Sequence, residues 1–317
     1  MAVLLSTILL AQQLASAPID TAAVAASSPR PGACAAVWVA PRVEFGIWER
    51  ARSLDQLHFC SSLALGYASL RHRPEVALSA AKQAETHWPG KAAPLVLMAR
   101  AQLSLGHFDA AEDAFERALL LDPHSLDAPS ALRDRARAAV ATGKLEVAAA
   151  AYRRLVPRVG LMPMGAARRT ALIEAAVLAM HRGPKGLDEA LGYLGEARRQ
   201  PRVVGAEGYL LGALALVLDR QGRVQEARGV AVESGGSWGM ATQTPLPSEG
   251  SPPQLTLSDA IPLLPLAERY AMVAVLLEGA STEVARDYWE ACRQTMGEDD
   301  VWREHAERKL STLGGSR

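Results

Sequence analysis

The sequence predicts an all-α solenoid built from stacked antiparallel helix pairs. Small residues return at a fixed interval: Ala77 and Ala111, Ala84 and Ala118, and the helix-ending Pro89 and Pro123 each lie 34 positions apart. Apolar residues make up 49 % of the 317-residue chain but aromatic residues only 5 %, which suits close Ala/Leu helix stacking. Alternating Val, Ile and Thr runs, the mark of half-buried strands, are almost missing. That pattern argues against an α/β enzyme fold.

The clearest unit runs from Leu95 to Pro123. Leu95, Met98, Ala99, Gln102 and Leu103 fall at i, i+3, i+4, i+7 and i+8, one face of a helix. Gly106 breaks that helix, because glycine enters positive φ without a Cβ clash. Asp109 and Glu112 then read as a D-x-x-E capping box opening a second helix. Ala110, Ala111, Ala114, Phe115, Ala118 and Leu119 form its apolar face, and Pro123 stops it. The alanines let two helices approach closely, and Phe115 fills the space they leave. With Ala99, Gly106, Ala111, Phe115, Ala118 and Pro123 in these places, the unit resembles the tetratricopeptide repeat. The resemblance implies a right-handed superhelix. It also implies a concave groove, lined by the first helix of each pair, that holds an extended peptide.

At the N-terminus, Leu4 to Leu10 form a short apolar run followed by small residues, the pattern of a signal peptide over residues 1–25. Cleavage is expected after Ala17 or Ala25; the same stretch also reads as a disordered or helical arm. Residues 26–43, rich in Ala, Pro and Ser, read as a disordered spacer. The repeat array is assigned to residues 44–233. Trp48 plugs its start, and Ser53 and Gln56 form an S-x-x-Q capping box for a helix from Leu54 to Leu70. Ala77, Ala81 and Ala84 line the helix that follows, which ends at Trp88-Pro89.

Three further pairs follow the central unit. Leu132, Ala136 and Ala139 precede Gly143, and Ala148, Tyr152 and Leu155 follow it. Phe115 and Tyr152 are 37 positions apart, so the loop around Pro123–Pro129 is a few residues longer than the period requires. The next pair uses Leu172, Ala176 and Ala179, a turn at Gly183–Gly186, then Ala190, Leu194 and Ala197. The fifth uses Leu211, Ala215 and Leu218, then Gly222, Ala227 and Ala231. Residues 234–257 are a Gly/Pro/Ser-rich loop of a length that usually carries function or lacks order. Helical pattern resumes at Pro265 in a C-terminal unit over 258–317. A charged helix from Asp299 to Leu313 caps it, since a terminal repeat needs a polar outer face.

Composition and motifs narrow the chemistry. A net charge of zero and a pI of 7.1 argue against a nucleic-acid surface, which would be strongly basic. Beyond the N-terminal run, nothing approaches the ~20 apolar residues of a membrane span. Cys34, Cys60 and Cys292 have no metal-ligand spacing. In an exported chain Cys34 and Cys60 can pair; otherwise Cys60 and Cys292 read as small buried hydrophobes. No phosphate loop, dinucleotide fingerprint or His pair appears, so no cofactor or metal is expected. Gly235–Gly239 matches G-x-S-x-G around Ser237, with His305 downstream. A nucleophile elbow needs a strand before it and a helix after it; here a helix end precedes and prolines follow, so a hydrolase ranks last.

The repeat register of the resembled family places Arg100, Arg133, Arg137 and Arg169 toward the groove. Their planar forks suit an acidic peptide or a terminal carboxylate, while Asp134 and Glu174 offer partners within the chain. The expected function is a non-enzymatic scaffold binding a protein or peptide. The signal-like segment points to the periplasm or the exterior, with the cytoplasm as the alternative. An assembly subunit associating through residues 234–254 is the runner-up.

Overall fold

The computed structural model describes Cys34, residues 54–203, 205–234, Leu246 and 261–314. The signal-like segment, the spacer apart from Cys34, Trp48, the Ser53 cap and most of the 234–257 loop, including Ser237, lie outside the described residues. Among the described residues the chain forms thirteen α-helices and no strand. They are α1 (Leu54–Ser69), α2 (Pro74–His87), α3 (Ala92–Ser104), α4 (Phe108–Leu121), α5 (Pro129–Ala141), α6 (Leu145–Leu155) and α7 (Gly165–Met180). Then come α8 (Leu187–Arg199), α9 (Glu207–Arg220), α10 (Val224–Glu233), α11 (Leu266–Leu277), α12 (Thr282–Thr295) and α13 (Arg303–Gly314). Each odd helix packs on the even helix that follows, and each pair packs on the next. The pair α11/α12 continues the same stack through α9 and α10, and α13 closes it against α12.

The turns repeat as faithfully as the helices. Gly106, Gly143 and Gly222 have φ of +78°, +75° and +77°. In each case the glycine N–H donates to the carbonyl three residues back, and the next residue's N–H donates to the carbonyl five back: His107 to Gln102, Lys144 to Ala139, Arg223 to Leu218. This is the Schellman ending, which satisfies carbonyls that have no partner within the helix. It also corrects the capping box. The turn uses up Gly106 and His107, so His107 is the N-cap and α4 begins at Phe108. Asp109 therefore sits in the first turn, where its charge suits the helix dipole. Glu112 lands a turn further in, buried, with Arg135 and Lys144 as its nearest opposite charges. Desolvation outweighs those two cations and raises its pKa.

The stack curves toward its odd helices. Neighbouring first helices touch (α1 with α3, α3 with α5, α7 with α9, α9 with α11), whereas successive second helices make at most marginal contact. The odd helices therefore line the inner side. Between α5 and α7 the backbones lie farther apart, and the two helices meet through side chains. A 3-10 turn, Val156–Leu161, packs on α6 and α7 and touches α5, and the two inner helices part there. The apolar interior divides at the same place. One cluster joins Cys34 to Leu178 and the other joins Leu172 to Ala306, with α7 contributing to both.

Polar contacts secure the C-terminal end. Asp219 at the end of α9 accepts from Lys309 Nζ at 2.5 Å and lies 2.8 Å from His305 Nε2, both on α13. Burial pushes the Asp219 pKa up, but the His305 hydrogen bond and Lys309 bring it below the usual carboxylate value. Beside it Arg220 and Glu268 form a fully buried pair at 2.9 Å, with the guanidinium over the Trp302 ring. Trp302 Nε1 donates to Met180 O at 2.8 Å, satisfying a free carbonyl at the end of α7. His305 is thus held between Asp219 and the edges of Trp289 and Trp302.

At the other end a disulfide joins Cys34 to Cys60 of α1. Closing a 26-residue separation removes unfolded-chain entropy equivalent to about 3.5 kcal/mol. Reduction should lower the unfolding free energy by that amount, measured by denaturant melts with and without reductant. Gly106→Ala forces a side chain into the left-handed region and should cost about 1–2 kcal/mol in the same measurement.

Candidate partner-binding face

The inner side is most polar where α5 and α7 separate. Arg133 and Arg137 are one turn apart on α5, as are Thr170 and Glu174 on α7, so each pair shares a helix face. Glu174 is completely buried. Arg133 Nε donates to its Oε2 at 2.9 Å, and Tyr152 OH to the same oxygen at 2.8 Å. Arg137 Nε reaches Oε1 at 3.2 Å. The Arg133 Nη2 atom reaches Oε1 at 3.3 Å and also donates to Thr170 Oγ1 at 2.8 Å. Burial acts to raise the Glu174 pKa, yet the two guanidinium groups and its hydrogen bonds overcome that and hold it below the usual carboxylate value. Tyr152 responds in the opposite sense. Burial and the neighbouring carboxylate push its phenol well above the ordinary value.

A stretch of main chain completes this cluster. Residues Ile261–Pro265 have no regular secondary structure, and Pro262, Leu263 and Leu264 are buried. Arg137 Nη2 donates to Ile261 O at 3.0 Å, and Leu263 N–H donates to Glu174 Oε1 at 2.9 Å. One cation and one anion of the inner helices thus read an acceptor and a donor of a non-helical backbone. Leu263 packs in the N-terminal cluster and Leu264 in the C-terminal one. Adjacent residues of an extended chain point to opposite sides, so this segment can enter both.

The four arginines expected to face a ligand occupy distinct places. Arg100 Nε donates to Asp134 Oδ2 at 2.6 Å, bridging α3 and α5. Arg133 and Arg137 turn to Glu174, so the carboxylate they select is the chain's own. Arg169, 1 % exposed, donates to Ala197 O at 3.3 Å and Gln200 O at 2.9 Å, and pairs with Glu207. It neutralises the carbonyl end of α8 and ties it to α9. Arg133, Arg137 and Arg169 are buried against internal partners rather than presented to an outside carboxylate. The sequence reading missed Tyr152 and Thr170 as members of this cluster, and the 261–264 segment as its occupant. The signal for the last was there: Ile-Pro-Leu-Leu-Pro is an apolar run whose two prolines bar it from a helix interior.

Residues 96–163, spanning α3 to α6 and the turn after it, match the family model for the tetratricopeptide repeat. Over that span the chain is similar to the tetratricopeptide repeat. Among solved structures, an assembly chaperone of RpL4 (Acl4, residues 1–338) is similar at 19 % identity. That similarity covers 81 % of this chain and 98 % of the other, with a TM-score of 0.45. No curated protein matches the chain.

Truncating Glu174 leaves two buried guanidinium groups without their anion. Glu174→Ala should cost about 3–5 kcal/mol, and Tyr152→Phe, which removes one hydrogen bond to a charged group, about 1.5–3 kcal/mol. Glu174 has a folded pKa below its unfolded one, so its contribution is complete above the ordinary carboxylate value. It is lost as the pH falls through the folded value. Acid titration followed by circular dichroism should show that loss in the wild type, and a flatter acid limb in Glu174→Gln.

Proposed function

We propose that this protein is a non-enzymatic interaction scaffold that holds an extended stretch of a partner polypeptide against the inner face of its repeats. The observation that carries the reading is the paired main-chain contact of Arg137 with Ile261 O and Glu174 with Leu263 N–H. It supports a face able to engage a backbone through a donor and an acceptor at once, the way extended peptides are gripped. The tetratricopeptide repeats support a protein partner rather than a small substrate. His305 sits in a structural latch with Asp219, which favours the scaffold over a hydrolase. The Cys34–Cys60 bond supports an oxidising compartment, consistent with export directed by residues 1–25.

Cross-linking the full chain in its native cell, followed by binding of the purified pair, tests the reading. The expected result is a saturable complex whose cross-links map to α3, α5 and α7. A chain that stays without a partner, and whose loss leaves no assembly defect, would overturn it. N-terminal sequencing of exported protein checks the location.

A further inference from the structure

Ile261–Leu264 has the features of a peptide seated in a groove, except that it belongs to the same chain. Ile261 and Leu264 each precede a proline, which confines them to extended backbone. Pro262 and Pro265 carry no N–H, so a buried backbone here has few donors to satisfy. Two of its backbone groups are met by the inner helices: Ile261 O by Arg137 and Leu263 N–H by Glu174. The segment crosses the place where, among the described helices, two neighbouring inner helices meet through polar side chains instead of close backbone packing. Its two leucines close the gap between the apolar clusters on either side.

Its attachments favour release as a unit. Upstream, the connection from Glu233 back to Ile261 is long and rich in Gly, Pro and Ser. Downstream, Pro265 is the N-cap of α11, so departure stops at a helix start and need not unwind it. The occupant also defines its replacement. Whatever takes this place must be extended, apolar on alternate sides, and free of backbone donors where Pro262 sits.

We propose that residues 261–264 are an internal strap occupying the scaffold's own peptide site, and that a partner segment of the pattern apolar–Pro–apolar–apolar binds by displacing it. This rests on the scaffold reading above and adds the partner's chemistry and its regulation. Partner affinity is then reduced by the fraction of molecules with the strap in place.

A labelled synthetic peptide of residues 258–266, titrated into the full chain by fluorescence anisotropy, tests it. Wild type should bind at least about tenfold more weakly than full chain carrying Leu263→Ser and Leu264→Ser, whose strap no longer anchors. Adding Arg137→Ala to that variant should abolish the gain. A helical, folded strap variant that fails to bind the peptide would overturn the proposal. Native-state hydrogen exchange on the wild type decides the matter if the variant unfolds. A Leu263 amide that exchanges by local opening, faster than the amides of α5 and α7, supports a releasable strap. One that exchanges only with global unfolding makes it a fixed staple and overturns the proposal. In that event a partner still cross-linked to α3, α5 and α7 would keep the scaffold reading, whereas loss of both would remove it as well.

Discussion

A carboxylate cut off from water must be surrounded by donors, and the middle of this solenoid is arranged around that requirement. Glu174 has no solvent exposure and receives hydrogen bonds from Arg133, Arg137, Tyr152 and the backbone of Leu263. Desolvating a charge is expensive, and only complete coordination offsets it. The cluster therefore couples what it touches. α5 supplies the cations, α6 the phenol, α7 the anion, and a segment beyond the long loop supplies the last donor. Removing any one leaves the others in an apolar interior without their partner.

The cluster sits where the repeat departs from its own regularity. Phe115 and Tyr152 hold equivalent places in successive repeats, both in the interior. Phe115 only fills space, whereas Tyr152 adds a hydroxyl directed to Glu174. The 3-10 turn after α6 then parts α5 from α7. Ridge-into-groove packing between inner helices is interrupted there, and polar side chains with a strand of backbone fill the opening. In a periodic fold, such a break is where local rules give way to a task. The two ends of the stack show the contrasting case. A disulfide at α1 and the Asp219–His305–Lys309 contacts at α13 hold the first and the last of the described helices.

Much of the architecture was legible before any coordinates. Alanine at a 34-residue spacing, glycine at most turns within the pairs and proline at the repeat ends are local signals, and local hydrogen bonding enforces them. The site was legible only in part. Register placed Arg133 and Arg137 toward the inner side, but register says nothing of what else arrives there. Hydrogen bonds linking Arg137 to Ile261 and Leu263 to Glu174 span 124 and 89 residues. No periodicity encodes contacts of that range across a loop. The misplaced capping box at Asp109 has a smaller cause of the same kind: the preceding turn's geometry sets where α4 starts.

Sequence alone determined the helix pairs, their order and the small-residue faces that let them nest, because each depends on residues within about one repeat. The tertiary structure decided which charges would be buried, that three of the four arginines would turn inward, and that the chain's own Ile-Pro-Leu-Leu would lie across the inner face. Those outcomes follow from desolvation. A guanidinium or carboxylate is satisfied by whichever partner the folded stack brings within reach, and only the assembled stack determines which partner that is.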